Sequence, residues 1–267
     1  MSSEVVLTRR EGAVLVLVNN NPTARNAVSP EFFEAATSAL NEAESDASIG
    51  AIVIVGAGEY FCAGGNLRQI DAIRTKPPEH RLQRLNTLHH FIKTICNVKK
   101  PVIAAVEGGA AGAGMSLALA CDILVSSQEA SYVAAYVKVG LTPDAGLTSF
   151  LSEFIPRQLL TELCMTGAPV SAQRLHALGA INRLVDAGRA EAEAITIGQR
   201  IAAGPARAIG RIKQLCHGAY ARTLSEQLDA ERQAMIESQG DEESGEGITA
   251  FLEKRTPEFF RLRQKHD

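Results

Sequence analysis

The chain has 267 residues, with 27 Lys+Arg and 30 Asp+Glu, so its formal net charge is −3. Hydrophobic residues make up 46% and charged residues 21%, a globular composition that excludes intrinsic disorder. A charge balance this close to neutral argues against a nucleic-acid-binding protein, which needs a clustered basic excess. The five cysteines are scattered and form no CxxC pair, which is typical of reduced thiols in a cytoplasmic protein. We therefore expect neither a disulfide framework nor a metal site.

The first residues show no apolar run behind a basic start, so no signal peptide is expected. The longest apolar stretch, residues 102–126, is long enough for a membrane span. However, Glu107 and Asp122 interrupt it, and glycines crowd its middle. We therefore predict a strand, a glycine loop and a buried helix there, and no association with a membrane.

The first half of the chain alternates short apolar runs with stretches of helical periodicity. The predicted elements are, in order, a hairpin from Val5–Leu7 and Val14–Val18, a helix from Pro30 to about Asp46, a strand at Ala51–Val55, a helix at Leu82–Val98, a strand at Pro101–Val106, a helix ending near Cys121 and a strand at Asp122–Val125. Ser29, directly before Pro30, is a typical start of the first helix. Strands that alternate with helices predict an α/β fold with crossover connections.

From Ala145 onward the pattern becomes helical. The predicted elements are a short apolar piece at Ala180–Val185 and helices at Ala190–Ala202, Pro205–Cys216, Leu224–Glu237 and Ile248–Lys254. The polar stretch Gln239–Gly247 predicts a solvated bend. We therefore divide the chain into a β/α core, residues 1–200, and a helical C-terminal region, residues 201–267, which we expect to take part in oligomer packing.

Three glycine-bearing loops are candidates for chemistry. Phe61–Asn66 follows a predicted strand, and its two adjacent glycines allow a ligand close to the backbone amides. Gly108–Gly114 leads into a helix, whose first N–H groups suit an anion or oxyanion. Gly140–Gly146 carries Asp144 ahead of a helical stretch. Each loop also has a purely structural interpretation: a tight turn, close packing of small residues, and a helix N-cap, respectively.

Other motifs match these loops poorly. The glycines of the second loop have the wrong spacing for a dinucleotide-binding fingerprint, and a phosphate-binding P-loop is absent. Gly114–Ala118 is one residue away from a nucleophile elbow, and Ser116, Asp144 and His176 follow the chain order of an α/β-hydrolase triad. Ser116, however, lies within an apolar helical run and not on a sharp turn, which argues against that triad.

The three loops together, in this order and spacing, resemble the enoyl-CoA hydratase/isomerase (crotonase) family, and the resemblance covers nearly the whole chain. The stretches that carry it are Asn21–Ala27, Phe61–Leu67, Lys100–Val106, the loop through Gly114, Leu117–Asp122, Gly140–Gly146 and Phe251–Pro257. The resemblance implies a crotonase-like spiral of ββα units with a helical C-terminal region. It also implies a homotrimer or homohexamer, an acyl-CoA thioester substrate, and no cofactor beyond the CoA that is part of this substrate.

The family's shared task is to stabilise a thioester enolate with two backbone amides. By motif, the resemblance assigns those amides to Gly65 and Ala113. Preorganised N–H donors of this kind act on charge that develops only in the transition state. The resemblance also implies substrate-binding residues along CoA, namely Ala24, Arg25, Ala63 and Leu67, with Lys254 as a phosphate contact.

The sequence departs from the hydratase pattern at two positions. Ser116 and Tyr136 stand where the family's hydratases use two glutamates, and neither side chain is a base near neutral pH. We expect both to be substrate-binding residues, with Tyr136 orienting the acyl group or donating a hydrogen bond; packing is the alternative for Tyr136. Asp144 stands where some isomerases of the family, including one of phenylacetate breakdown, place a catalytic acid. Our first hypothesis is therefore an enoyl-CoA isomerase with Asp144 as proton shuttle. The alternatives are a hydratase or ring-opening hydrolase of an aromatic-derived CoA thioester, and a non-catalytic acyl-CoA-binding protein.

Overall fold

The computed structural model describes residues 4–263. The strands are β1 (Val6–Glu11), β2 (Val14–Asn19), β3 (Ala51–Gly56), β4 (Val102–Val106), β5 (Gly109–Ala111), β6 (Ile123–Ser127), β7 (Ser131–Val133), β8 (Pro169–Ser171) and β9 (Arg183–Val185). The helices are α1 (Pro30–Ser45), α2 (Leu67–Arg74), α3 (Pro78–Asn97), α4 (Ala113–Leu119), α5 (Leu147–Ser152), α6 (Arg157–Thr166), α7 (Ala172–Ala177), α8 (Ala190–Ala202), α9 (Ala206–Gly218), α10 (Leu224–Gln239), α11 (Glu242–Leu252) and α12 (Phe259–Arg263). Two short 3-10 helices cover Pro22–Ala24 and Ala135–Val139.

Two sheets organise the part of the chain described here. The larger has six strands in the order β1-β2-β3-β4-β6-β9, and the smaller has three in the order β5-β7-β8. In the larger sheet, the β1–β2 hairpin is antiparallel and every other pairing is parallel. Parallel pairing requires crossover connections, which the intervening helices provide.

The larger sheet is buried on both faces, because successive side chains of a strand point to opposite sides. Ile52 and Ile54 of β3 pack into the core under α1 and α3, while Val53 and its neighbours on the other face pack against α8. On the first face, the ring of Phe91 on α3 meets Phe32 edge to face at 5.5 Å and stacks on Phe33 at 5.8 Å, both on α1. Aromatic pairs of these kinds stabilise a core beyond the area they bury.

The predicted α/β class is confirmed, and most elements of the first half lie where the sequence placed them. The second sheet was missed, because β5, β7 and β8 have three residues each and offer too few positions for an alternating pattern. Helix α2 was also not predicted, and α3 begins at Pro78, before the predicted Leu82. Helices α5, α6 and α7 lie in the stretch predicted as helical from Ala145 onward, but the sequence did not give their bounds. Short helices are stabilised by tertiary packing more than by periodicity.

The prediction of a solvated bend over Gln239–Gly247 is wrong for its second half, because α11 begins at Glu242. Acidic residues favour the start of a helix, and Glu243 accepts hydrogen bonds from the backbone N–H groups of Arg207 and Ala208 at the start of α9. The division into residues 1–200 and 201–267 stays a prediction, and its outermost residues lie outside those described. Over residues 4–263, no helix is both long and apolar enough to span a membrane.

Candidate functional site

The loop after β3 packs directly against the loop that contains β5. The Cys62 N–H donates to Gly109 O at 3.4 Å, and the Ala111 N–H donates to Cys62 O at 2.9 Å. Gly64 has a φ of +95°, and a Cβ there would lie 2.7 Å from Ala111 O. Only glycine allows both this conformation and this close approach. The first two glycine loops of the sequence are therefore one structural unit.

The start of α4 completes this unit. Gly112 precedes the helix with a φ of 51° and a ψ of −127°, a backbone conformation that requires glycine. A Cβ on Gly64 would lie 3.5 Å from the backbone nitrogen of Ala113, so the segments that carry Gly65 and Ala113 are neighbours. Within residues 4–263, neither the Gly65 nor the Ala113 N–H donates a hydrogen bond. Both residues line a common cavity, so two free amide donors are available to a bound oxygen.

This cavity has a volume of about 510 Å³ and two kinds of wall. The apolar wall comes from α1, α2, α3 and the segment after Val139, and consists of Phe33, Leu67, Ile70, Ile73, Leu85, Leu88, Val139 and Leu141. The polar groups are Arg74, Arg81, Arg84, Lys138, Tyr136, Thr142 and Asp144. Ligand sites typically combine an apolar wall with a few placed polar groups, as here.

Asp144 faces the cavity and does not cap a helix. The residue before α5 is Gly146, which has no side chain to cap it, and the Leu147 N–H donates to the backbone oxygen of Asp144 at 3.1 Å. The carboxylate Oδ1 is buried and has no hydrogen-bond partner among the described residues. Ala145, next in the chain, has a φ of 52°, which is unusual for a residue with a Cβ. The capping interpretation of Asp144 is therefore wrong, and its carboxylate is available to a ligand.

Ser116 and Tyr136 lie beside Asp144 and bond to its backbone. The two hydroxyl oxygens are 3.1 Å apart, and each is within hydrogen-bond distance of Asp144 O, Ser116 Oγ at 3.2 Å and the Tyr136 hydroxyl at 3.4 Å. Since each hydroxyl has one proton, two protons are shared among these three contacts. Burial raises the pKa of Tyr136 far above its ordinary value, and the nearby charge of Asp144 adds to this effect. Tyr136 therefore stays protonated as a hydrogen-bond donor.

Arg84 is a cavity residue that the sequence analysis missed. It lies on α3, with Nη2 3.2 Å from the position that a Cβ on Gly65 would take. Its Nε is buried without a partner among the described residues. Burial lowers the pKa of Arg84, and the charge of Asp144 opposes this shift. The sequence did contain a signal: Arg81, Arg84, Leu85 and Leu88 are spaced along one face of a helix.

The residues predicted to lie along CoA divide into three groups. Ala63 and Leu67 line the cavity itself. Arg25 lies next to it, because the Ala63 N–H donates to Arg25 O at 2.9 Å, and Ala24 directly precedes Arg25. The Arg25 guanidinium also lies 5.7 Å from the centre of the Tyr60 ring. Lys254 follows α11 and is not among the described residues that line the cavity.

Asn26 is a second residue that the sequence analysis missed. It is fully buried, and its side chain donates to Ala57 O at 2.9 Å and accepts from the Asn21 N–H at 2.9 Å. Asn19 donates to the backbone oxygen of Asn26 at 2.7 Å. Asn26 thus fixes the segment of Ala24 and Arg25 against the loop after β3.

The hydrolase triad does not form. Ser116 is fully buried within α4, and its hydrogen-bond partners are Tyr136 and backbone oxygens. His176, on α7, places Nδ1 2.7 Å from Ile181 O instead. A serine nucleophile needs a hydrogen-bonded base, and among residues 4–263 no hydrogen bond joins these two side chains. The described residues also contain no group of three or more His, Cys, Asp or Glu that could hold a metal ion.

Comparison with known proteins gives one consistent result. The sequence model of the family described as enoyl-CoA hydratase/isomerase matches residues 9–261. The 1,2-epoxyphenylacetyl-CoA isomerase of Escherichia coli (strain K12) is 34% identical over 257 residues, which cover 96% of this chain and 98% of that protein. The 2,3-dehydroadipyl-CoA hydratase of the same organism is 30% identical over 259 residues, covering 96% of this chain and 98% of that protein.

Among solved structures, the crystal structure of an enoyl-CoA hydratase from Polaromonas sp. JS666 superposes with a TM-score of 0.92 at 46% identity. The match covers 94% of this chain and 98% of that one. The predicted crotonase-like fold is therefore confirmed, because sequence and backbone agree over almost the whole length of both chains.

Proposed function

The chain belongs to the enoyl-CoA hydratase/isomerase family, and from that premise we propose that it is an enoyl-CoA isomerase that moves a carbon–carbon double bond of an acyl-CoA thioester. One observation carries the proposal. Among the described residues that line the cavity of Gly65 and Ala113, Asp144 is the only carboxylate. Ser116 and Tyr136, which replace the two glutamates of the family's hydratases, bond to each other and to the Asp144 backbone.

In the proposed reaction, the Gly65 and Ala113 amides hold the thioester oxygen. Asp144 removes a proton from the carbon between the thioester carbonyl and the double bond, and the electron pair moves onto the thioester oxygen. The same carboxyl group then returns the proton to the far end of the allylic system. The two amides stabilise the enolate as it forms, and loss of one such donor typically lowers the rate about 100- to 1000-fold.

The rest of the substrate extends along residues already described. Ala24, Arg25, Ala63 and Leu67 would follow the CoA portion, and Lys254 would contact a phosphate from outside the cavity. The acyl group would pack against the apolar wall formed by α2 and α3. In this proposal CoA arrives and leaves with the substrate, and the chemistry needs no further cofactor.

The test is Asp144→Asn, which keeps the shape of the side chain and removes the base. With a straight-chain 3-enoyl-CoA, we expect kcat to fall about 100- to 10,000-fold, the usual contribution of a positioned acid–base group. Binding of a saturated acyl-CoA, measured by calorimetry, should change by less than about threefold because the amides remain. Asp71→Asn is the matched control, because Asp71 lies on α2 with 74% of its side chain exposed. Near-normal turnover by Asp144→Asn would overturn the proposal.

A hydratase or ring-opening enzyme is the second candidate. It is favoured by the names of relatives such as the 2,3-dehydroadipyl-CoA hydratase, and by the free Asp144 Oδ1, which could activate a water molecule. Competent hydration of crotonyl-CoA, with solvent oxygen appearing in the product by mass spectrometry, would establish it. Tight acyl-CoA binding without turnover across straight-chain and ring-derived thioesters would instead establish the third candidate, a non-catalytic binding protein.

A further inference from the structure

The inner part of the cavity contains two buried polar atoms without partners, Arg84 Nε and Asp144 Oδ1. Their side chains interact electrostatically, but within residues 4–263 they form no ion pair. Buried polar groups are almost always hydrogen-bonded, so a pair of unpartnered ones facing one cavity marks a place where water or a ligand supplies the partners. In the proposed reaction Asp144 transfers the proton, whereas Arg84 has no role.

The position of Arg84 indicates which part of a ligand it meets. Its Nη2 lies 3.2 Å from where a Cβ of Gly65 would be, so the guanidinium lies on the segment whose amide faces the thioester oxygen. With a thioester bound as in the proposed function, Arg84 would lie beside the acyl group and not beside the phosphates of CoA.

The two other arginines of the cavity differ from Arg84. Arg74 is exposed and pairs with Asp71 at 3.0 Å. Arg81 is exposed and donates to the backbone oxygens of Arg74 and Lys76. Both guanidinium groups already have hydrogen-bond partners on α2 and the segment after it. Among these three arginines, only Arg84 has a buried nitrogen without a hydrogen-bond partner.

The charge of the inner cavity restricts what Arg84 can bind. Arg84 and Asp144 contribute one positive and one negative charge, which balance. The other cations of the cavity, Arg74, Arg81 and Lys138, are exposed, so water and salt screen their charges. A carboxylate on the acyl group would add a second negative charge near Asp144, and like charges in a partly buried site repel. An uncharged oxygen accepts a hydrogen bond from the guanidinium without this repulsion.

We propose that Arg84 selects acyl-CoA thioesters whose acyl group carries a second, uncharged oxygen, such as a keto, ether or epoxide oxygen. This rests on the proposed function, because it requires the acyl group of a CoA thioester in this cavity. Arg84 is a specificity-determining residue in this proposal and takes no part in moving the proton.

Calorimetric binding of unreactive, saturated thioesters tests the proposal without depending on turnover. The probes are hexanoyl-CoA, a keto-substituted hexanoyl-CoA and adipyl-CoA. The variants are Arg84→Met and the control Arg68→Met, because Arg68 is an exposed arginine of α2 that does not line the cavity. We expect the native protein to bind the keto thioester at least about tenfold more tightly than hexanoyl-CoA, the effect of one hydrogen bond to a charged group. Arg84→Met should remove this difference and change hexanoyl-CoA binding by less than about threefold, while Arg68→Met should keep the difference.

Three outcomes of the binding experiment would contradict the role of Arg84. Equal affinity of the native protein for the keto thioester and hexanoyl-CoA would overturn the proposal, as would tightest binding of adipyl-CoA or an equal loss for all probes in Arg84→Met. If the Met variant does not fold by circular dichroism, Arg84→Gln and Arg84→Lys are measured in the same way. Discrimination between thioesters without turnover of any enoyl-CoA would refute the isomerase alone, and turnover without discrimination would refute the role of Arg84 alone.

Discussion

At the scale of single residues, Tyr136 and Ser116 act on Asp144 through its backbone. Both hydroxyls lie within hydrogen-bond distance of the Asp144 carbonyl oxygen, and Ala145 next to it has a φ of 52°, an uncommon value for a residue with a Cβ. Hydrogen bonds to this carbonyl hold the loop at the point where its backbone is unusual. Burial keeps the pKa of Tyr136 far above neutral pH, so its donor role does not change over the working range. Both residues are thus positioning residues for the carboxylate.

We expect Tyr136→Phe to lower kcat about tenfold with little change in KM, because one lost hydrogen bond costs about 1 kcal/mol and moves Asp144 without removing it. Tyr132→Phe is the control, since Tyr132 is also buried and donates to Ser126 Oγ at 2.8 Å, and it does not line the cavity. Steady-state kinetics and thermal melting of both variants distinguish the roles. Equal losses of stability and unchanged kcat in both would show that Tyr136 only packs.

The loops of the site could be predicted from the sequence, whereas some of the side chains that line the site could not. Gly65, Ala113 and Asp144 lie in short motifs, and glycine pairs mark tight loops without knowledge of the fold. Arg84 and Asn26 could not be found in this way. Arg84 belongs to the site because α3 crosses over Gly65, and Asn26 belongs to it because its amide reaches the loop after β3. Both contacts depend on packing between segments far apart in the chain.

At the scale of elements, one ionic cluster joins α9 to the larger sheet. Asp122 lies directly before β6 and forms an ion pair with Lys213, with Oδ2 2.8 Å from Nζ. Its Oδ1 lies 2.8 Å from His217 Nε2. Lys213 is buried and also donates to Ile95 O at 2.8 Å. The hydrogen bond to Asp122 raises the pKa of His217 to about 9, with a further contribution from Cys96. Glu153 faces the same histidine. Burial raises the pKa of the Glu153 carboxyl, and the charge of His217 opposes part of this rise.

This cluster predicts a loss of stability at alkaline pH. The pKa of His217 is about 9 in the folded chain against an ordinary value of 6.5. The contribution of His217 to the free energy of unfolding is therefore complete below about pH 6.5 and disappears as pH rises through about 9. A third of the side chain is exposed, and with solvent screening we expect about 1 kcal/mol. The measurement is chemical denaturation from pH 6.5 to 9 for the native protein and His217→Gln. Parallel curves for the two proteins would contradict the prediction.

At the scale of the whole molecule, the β/α core could be predicted and the arrangement of the C-terminal helices could not. The strands β2, β3 and β4 are long and apolar on both faces, so their burial follows from their sequence. Helices α10 and α11 have few buried residues, and their apolar side chains face outward. Large exposed side chains on these helices are Leu224, Leu228, Met235, Ile236, Ile248, Phe251 and Leu252. A single chain does not explain their position.

We expect self-association to cover these exposed side chains, and the homotrimer or homohexamer implied by the family resemblance stays our prediction. Phe251 is 82% exposed and Leu252 is 74% exposed, more than the isolated surface leucine Leu82 at 59%. We expect the native protein to sediment at a multiple of 28.5 kDa. Phe251→Ser with Leu252→Ser should shift it toward the monomer, because contiguous exposed apolar patches mark protein–protein contacts. Leu82→Ser should leave its mass unchanged. Analytical ultracentrifugation over a range of concentrations decides the question, and a native protein that sediments as a monomer throughout would refute both the oligomer and the role of this surface.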